Sequence, residues 1–412
     1  MTMDSTAYPQ RRSAQKPAAA YRGLPFAARM VLTALERIRF GSMTLALPDG
    51  RRFEFRGAEP GPSAFLQVHD NAMFTRLAMG GSLGFAEAYL DGLWDSPDVT
   101  GLLTCGLLNT AYESRGRPSR MRRGVDRLVH ALRANTRRGA RRNIHAHYDL
   151  GNAFYESFLD ETMTYSAARY DSGAESLADA QTAKYAALAD AIDLRPGERV
   201  LEIGCGWGGF AEYAAARRGA VVTGITISQA QLDYARARMQ RAGLSDRVAL
   251  RFQDYRDVAE TYDKVVSIEM FEAVGERYWP AYFGKVAEVL KPGGAAALQI
   301  ITISDASFET YRRSVDFIQK YVFPGGMLPT LSALRSQVGR AGLGWSGHHA
   351  FGADYARTLA EWRRRFLARW SDIEALGFDE RFKRLWTYYF CYCEAGFSGG
   401  SIDVIQARLT KP

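Results

Sequence analysis

Five short apolar stretches, ERVLEIG, AVVTGIT, VALRFQD, DKVVSIEM and AAALQIITI, follow one another from Pro196 onward with helix-length segments between them. Strands apolar on both sides need cover on both faces, and helical connections supply it only if the strands run parallel. This alternation constrains the chain to an α/β fold with a doubly wound, Rossmann-like sheet. GSIDVIQARLT near the end reads as a final strand. The segment from Ser304 to about Ala341, containing KYVFPGGMLPT, is too long for a simple crossover and is expected to form a lid or a pocket wall.

The earlier part of the chain has another pattern. GSMTLALPDGRRFEFRG reads as two alternating strands around a Pro-Asp-Gly turn, SAFLQVHD as a third, and NAMFTRLAMGG with FAEAYLDGLW as helix. The expected organisation is therefore a disordered tail over residues 1–30 and a small α+β domain over 31–114. A basic linker over 115–142 and the doubly wound domain over 143–412 follow. The linker holds eleven arginines and one acid, Asp126. It reads as a solvated connector with one amphipathic helix, as a contact for anionic headgroups, or as a nucleic-acid contact. The formal net charge of +8 agrees with an anionic partner. Against nucleic acid, the run contains no aromatic residue on which bases could stack.

No apolar run reaches the ~18 residues of a membrane-spanning helix, and the first residues lack the apolar centre of a signal peptide. A cytoplasmic protein, peripheral at the inner face of the membrane, is expected. Cys105, Cys205, Cys391 and Cys393 have no metal-type spacing and read as reduced thiols. His145 and His147, two residues apart, are poorly placed for a shared metal, and none is expected.

Within VLEIGCGWGGFAEYAA, Gly204, Gly206 and Gly209 satisfy G-x-G-x-x-G between a strand and a helix. The turn could hold a dinucleotide, a nucleoside-bearing sulfonium, or nothing. Trp207 fills the turn, and Glu202 puts a carboxylate at the strand end, which suits a cation better than a pyrophosphate. The second strand ends in Gly224, Thr226 and Ser228 without the acid of a dinucleotide reader, leaving Thr226 and Gln231 for the ribose. Asp254 can accept from an adenine amino group, with Tyr255 against the ring; capping roles for Thr226 and Asp254 remain open.

The stretches HAHYDLGNAFYESFLDETMTYS, VLEIGCGWGGFAEYAA, GITIS, FQDYRD, MFEAVG, YVFPGGMLPT and YYFCYCEAGF occur in an order that resembles the cyclopropane-fatty-acid synthases. The resemblance spans roughly residues 40 to 410. It implies a class I methyltransferase domain that uses S-adenosylmethionine to methylate cis double bonds in the acyl chains of membrane phospholipids. It also implies a small N-terminal domain, matched by LPDG and GFAEAYLDGLW, that serves dimerisation and membrane-bound substrate. Position by position, it implies a cofactor site of Tyr165, Ser166, Gly204, Gly206, Thr226, Gln231, Asp254 and Tyr255, with Tyr148 closing the pocket.

The family's base is a bicarbonate. The resemblance maps its holders onto the Ala167 backbone, Glu272, Gln299, the Ile301 backbone and Tyr355. Two of these five side chains depart from the family pattern, Ala167 for cysteine and Gln299 for histidine, and Ala273 stands where histidine is common. An amide can donate a hydrogen bond but cannot become cationic, so the anion should be held less firmly or Glu272 itself should be the base. Cyclopropane and methyl-branched or methylene products are both open. Rival readings are a methyltransferase for a small soluble acceptor and a basic nucleic-acid-binding protein.

Overall fold

The computed structural model describes residues 18–113, 150–171, 173 and 175–412. Tyr148, His145, His147 and the arginine-rich stretch lie outside the described residues.

The N-terminal unit is a four-stranded sheet of order β2-β1-β3-β4. Strands β1 (Phe40–Ala46) and β2 (Arg52–Arg56) pair antiparallel across the Pro-Asp-Gly turn, β3 (Glu59–Val68) runs parallel to β1, and the short β4 (Trp94–Asp95) closes the edge. Alternation sets the inner face: Phe53 and Phe55 are buried while Arg52, Glu54 and Arg56 face out. Three helices accompany the sheet, α1 (Phe26–Leu35), α2 (Ala72–Leu90) and α3 (Val99–Glu113). Structure begins earlier than the composition suggested, because Tyr21, Leu24 and Ala28, within the segment expected to be a tail, are buried together with Leu32 just beyond it. The Tyr21 and Phe53 rings meet edge-on at 5.3 Å.

The larger unit contains a seven-stranded sheet of order β10-β11-β9-β8-β5-β6-β7. Strands β5 (Arg199–Ile203), β6 (Val221–Thr226), β7 (Val248–Phe252), β8 (Tyr262–Ile268) and β9 (Leu290–Ile303) are parallel, as their unbroken hydrophobicity requires. Two further strands complete the doubly wound sheet. β11 (Ile402–Thr410) returns antiparallel beside β9, with Gln406 opposite Gln299, and β10 (Gly344–Ala350) pairs antiparallel with β11. β10 has no apolar signature because it is a half-exposed edge strand carrying two glycines and two histidines.

The helices of this unit are α4 (Asn152–Glu156), α5 (Leu177–Ala191), α6 (Gly209–Arg218), α7 (Gln229–Arg241), α8 (Trp279–Val289), α9 (Asp305–Tyr311), α10 (Leu331–Arg340), α11 (Gly352–Ala368), α12 (Trp370–Ala375) and α13 (Glu380–Ser398). α5, α6 and α7 cover one sheet face, and α8 and α10 the other. A third core joins α4, α11 and α13 to the N-terminal unit, and α13 packs on α2, α3 and α11. Arg384 and Glu394 of α13 fasten this seam. Arg384 donates to Asp95 at 2.7 Å, and Glu394 accepts from Thr100 at 2.9 Å.

Phe154 lies at the centre of the third core, fully buried, with its ring 4.7 Å from Trp386 and 5.4 Å from Phe158. Phe154→Ala should destabilise the fold by about 3 to 5 kcal/mol, read as a lower denaturant midpoint. A midpoint equal to that of the parent chain would show that this aromatic cluster carries no stability.

Candidate active site

The glycine turn sits where strand order reverses between β5 and its neighbours, at the C-terminal edge where such sheets bind ligands. Gly204 and Gly206 have φ of 83° and 51°, left-handed values that glycine adopts without strain. A Cβ on Gly204 would lie 2.8 Å from Met270, whereas one on Gly206 would meet no protein atom within 4 Å. The space before Gly206 belongs to a cavity of about 840 Å³, in the size range of small-molecule sites.

Every expected cofactor residue within the described part borders this cavity: Tyr165, Ser166, Gly204, Gly206, Thr226, Gln231, Asp254 and Tyr255. Tyr148 lies outside the described residues. The Thr226 hydroxyl donates to the Gln231 carbonyl oxygen at 3.1 Å, which leaves the Gln231 amide N–H groups to face a ligand. Ser228 caps α7, so the capping role considered for Thr226 falls to its neighbour. Asp254 does cap the turn after β7, and Arg256 holds its carboxylate through two donors at 2.8 and 2.6 Å. Asp254 still borders the cavity, so its carboxylate edge is part of the wall that an adenine would meet.

Ser166 is organised from behind. Lys184 of α5, fully buried, donates to the Ser166 hydroxyl oxygen at 2.7 Å. In its ammonium form Lys184 can only donate, so the hydroxyl then accepts and turns its own proton elsewhere. Burial pushes the Lys184 ammonium down to about 7, opposed by the nearby carboxylates of Glu269, Asp160 and Glu202. Glu202 borders the cavity with one carboxylate oxygen buried and unpartnered, and burial holds its carboxyl well above the usual range. A cationic group arriving here would find a buried acceptor awaiting it. These walls fit a sulfonium nucleoside; they offer no cluster of donors for a pyrophosphate.

The five residues expected around a bicarbonate are arranged differently from that expectation. Ile301 N–H donates to Glu272 at 2.5 Å. The Ala167 N–H, the Gln299 amide and the Tyr355 hydroxyl all donate to one side chain that the sequence reading overlooked, Glu269, at 2.9, 2.8 and 2.7 Å. Gln299 is oriented in turn by Gln406, which donates to its carbonyl oxygen at 3.0 Å. Gln299 and Ala167 are fully buried behind Glu269, whereas Glu269, Glu272, Ile301 and Tyr355 border the cavity. The donors implied for bicarbonate are therefore taken by the chain's own carboxylates. A separate anion does not fit among them.

Glu269 has a φ of 48°, left-handed for a residue with a side chain. Such strain costs of order 1–3 kcal/mol and persists where the surroundings impose it. The two carboxylates are also unequal. Burial raises both, but Glu269 has three donors and the charge of Lys184 to favour its anion. Glu272 has one backbone donor, an unpartnered buried oxygen and Glu269 as a like-charged neighbour, and is pushed up to about 8. The surroundings thus favour the anion at Glu269 and the neutral acid at Glu272.

The model of the family described as mycolic acid cyclopropane synthetase matches residues 135–407. A tuberculostearic acid methyltransferase of Mycobacterium tuberculosis is 41% identical over 369 residues, covering 85% of this chain and 83% of the relative. A cyclopropane-fatty-acyl-phospholipid synthase of Escherichia coli is 37% identical over 350 residues, covering 84% and 88%. Among solved structures, a mycolic acid cyclopropane synthase complexed with SAH and CTAB aligns with a TM-score of 0.63 at 28% identity, covering 66% of this chain and 98% of its own.

Gly206→Val adds a branched side chain at a left-handed position and directs it into the cavity. Calorimetry should show S-adenosylmethionine affinity lowered beyond detection in a folded variant, and unchanged affinity would remove this turn from the site. A second outcome follows from Glu272. Its folded value, about 8, lies above that of an unfolded glutamate, so its contribution to stability is full at acid pH and is lost as pH rises through about 8. Glu272→Gln cannot ionise, so its thermal midpoint relative to the parent chain should rise between pH 6 and pH 9. A difference independent of pH would show that Glu272 titrates normally.

Proposed function

The chain belongs to the mycolic acid cyclopropane synthetase family, and from that premise we propose that it is an S-adenosylmethionine-dependent C-methyltransferase acting on the cis double bonds of unsaturated phospholipid acyl chains. The observation that carries this reading is the continuity of the cavity. From the glycine turn it extends past Phe323, Leu359 and Tyr389 to Leu66, Leu102 and Leu103 of the N-terminal unit. A small polar acceptor needs no such apolar extension, and a long acyl chain does.

When bound, S-adenosylmethionine supplies an electrophilic methyl group on sulfur. An alkene is a weak nucleophile, so this chain's residues act chiefly by holding it in line in a water-poor pocket, an effect worth roughly 7 to 11 kcal/mol in well-oriented systems. As the new carbon–carbon bond forms from the π electrons, the neighbouring alkene carbon becomes cationic. The Glu269 carboxylate borders the same cavity and stabilises that charge, then accepts the proton whose loss ends the reaction. Tyr355, Gln299 and the Ala167 N–H fix the carboxylate's direction. Glu272, protonated, keeps a second negative charge away and anchors β9 through Ile301. Loss of a proton from the new methyl closes a cyclopropane, while a hydride shift with loss elsewhere gives a methylene or methyl-branched chain.

We place this activity at the cytoplasmic membrane surface, with the arginine-rich stretch drawing the protein to anionic lipid and a homodimer as the assembly that the family resemblance implies. No helix among the described residues is long and apolar enough to cross a membrane.

Cells expressing the protein and fed isotopically labelled methionine should yield phospholipid acyl chains carrying one labelled carbon, as a ring or a branch, by mass spectrometry. Glu269→Gln should lower all such products by about 10²- to 10⁴-fold, the usual contribution of a general base, while S-adenosylmethionine affinity stays intact. Glu272→Gln, which mimics a neutral acid, should be far milder. Full activity in Glu269→Gln would return the role of base to another group.

A further inference from the structure

Helix α5 carries two fully buried polar side chains, Gln181 and Lys184, three residues apart on one face. Both hold the same residue. The Gln181 amide donates to the Ser166 carbonyl oxygen at 2.9 Å, and Lys184 donates to the Ser166 hydroxyl oxygen at 2.7 Å. The Ser166 carbonyl and the Ala167 N–H belong to one peptide group, and that N–H donates to Glu269 at 2.9 Å. A peptide group is planar, so fixing its oxygen from α5 also fixes the direction of its N–H toward Glu269. Ser166 itself borders the cofactor end of the cavity.

A second route closes a ring. Gln406 donates to the Lys184 carbonyl oxygen at 3.3 Å and to the Gln299 carbonyl oxygen at 3.0 Å, and Gln299 donates to Glu269 at 2.8 Å. Lys184 is thus joined to Glu269 through Ser166 and Ala167 on one side and through Gln406 and Gln299 on the other. Ser166, Ala167, Lys184, Gln299 and Gln406 are all buried, so each link is costly to lose.

The charges follow the same plan. Burial drives the proton off Lys184, and the carboxylate of Glu269, followed by those of Asp160 and Glu202, retains it. The Tyr185 ring centre lies 4.8 Å from the ammonium, and Arg238 of α7 draws on Glu202 from beyond. Burial also raises the Glu269 carboxyl, and Tyr355, Gln299, the Ala167 N–H and Lys184 lower it, while Glu272 stands beside it as a like charge.

We propose that Lys184 is a positioning residue for both halves of the reaction: its ammonium turns the Ser166 hydroxyl toward the cofactor and keeps Glu269 anionic, so that cofactor binding and proton removal depend on one buried charge. This rests on the reading of Glu269 as the base. Removing the positive charge raises the Glu269 carboxyl, so the base is lost at a higher pH as the solution is acidified.

The test compares three variants of the full chain. Lys184→Gln keeps a donor for Ser166 without the charge, Lys184→Met keeps neither, and Lys184→Arg keeps both. S-adenosylmethionine affinity, by calorimetry, should hold in Lys184→Gln and fall by about tenfold in Lys184→Met, the worth of one hydrogen bond. In both neutral variants the acid limb of the kcat profile should move up by about 1 to 3 pH units, the usual effect of an opposite charge at close range. Lys184→Arg should leave that limb where the parent has it, whatever its rate. Without cofactor, the infrared band of a protonated carboxyl, assigned by its loss in Glu269→Gln, should persist to higher pH in the neutral variants. An acid limb and a carboxyl band unmoved in both neutral variants would make Lys184 a purely structural residue and overturn the proposal, even where stability or rate falls. Full activity in Glu269→Gln would instead overturn the reading of the base on which the proposal stands.

Discussion

A carboxylate taken out of water must find donors or give up its charge, and the reaction centre is built around that constraint at Glu269. Its three donors come from three separate places in the chain: the loop before α5, strand β9 and helix α11. They converge only because β8 and β9 are adjacent in the sheet and α11 packs across the end of β11. Behind them a further shell is fixed in the same way, with Gln406 of β11 orienting Gln299 and Lys184 of α5 supplying the compensating charge. The antiparallel return of β11 thus has a chemical consequence, since it delivers Gln406 opposite Gln299.

The two cavity regions make different physical demands, and the fold separates them accordingly. The cofactor end is built from backbone at strand ends, where glycines allow close approach and short polar side chains present donors. The acyl end is lined by residues from helices and from the Ser304–Ala341 segment, which contains a π-helical turn, Ile318–Val322. That segment borders the cavity and is tied to α2 by the Tyr321 hydroxyl, which donates to Glu87 at 2.8 Å. The two units thereby share one pocket wall, and the N-terminal unit contributes to the substrate space as well as to the protein's surface.

What could be read from the sequence followed physical periodicity. The parallel strands announced themselves through unbroken apolar runs, and Gly204 and Gly206 through a turn that follows one of them. β10 was invisible because an edge strand need not be hydrophobic. The start of α1 was missed because the polar, Ala- and Arg-rich residues before it carry no sustained periodicity and draw its first turn into the expected tail. Residues of the reaction centre were legible only as positions. Ala167 and Gln299 were located, but their function was referred to an anion from solution, because the partner that replaces it lies three residues before Glu272 and nothing in a linear reading separates two nearby acids at a strand end. The one available signal was placement: Glu269 directly follows β8, at the ligand-binding edge of the sheet.

Replacing a dissociable anion by a tethered carboxylate changes what determines the product. An anion held by hydrogen bonds can shift with the cation it serves, and its occupancy depends on its concentration. Glu269 has neither freedom, since its backbone is strained into a left-handed conformation and three donors hold its carboxylate. The proton removed is then the one that the acyl chain presents to a fixed acceptor. On the proposed mechanism, selection between ring closure and branching would pass from the base to the cavity walls, which include the aromatic residues Tyr165, Phe323 and Tyr389. Tyr165 and Tyr389 are themselves joined hydroxyl to hydroxyl at 3.0 Å. On that mechanism, packing around the acyl chain sets the outcome, with the carboxylate as the stationary point against which that packing is aligned.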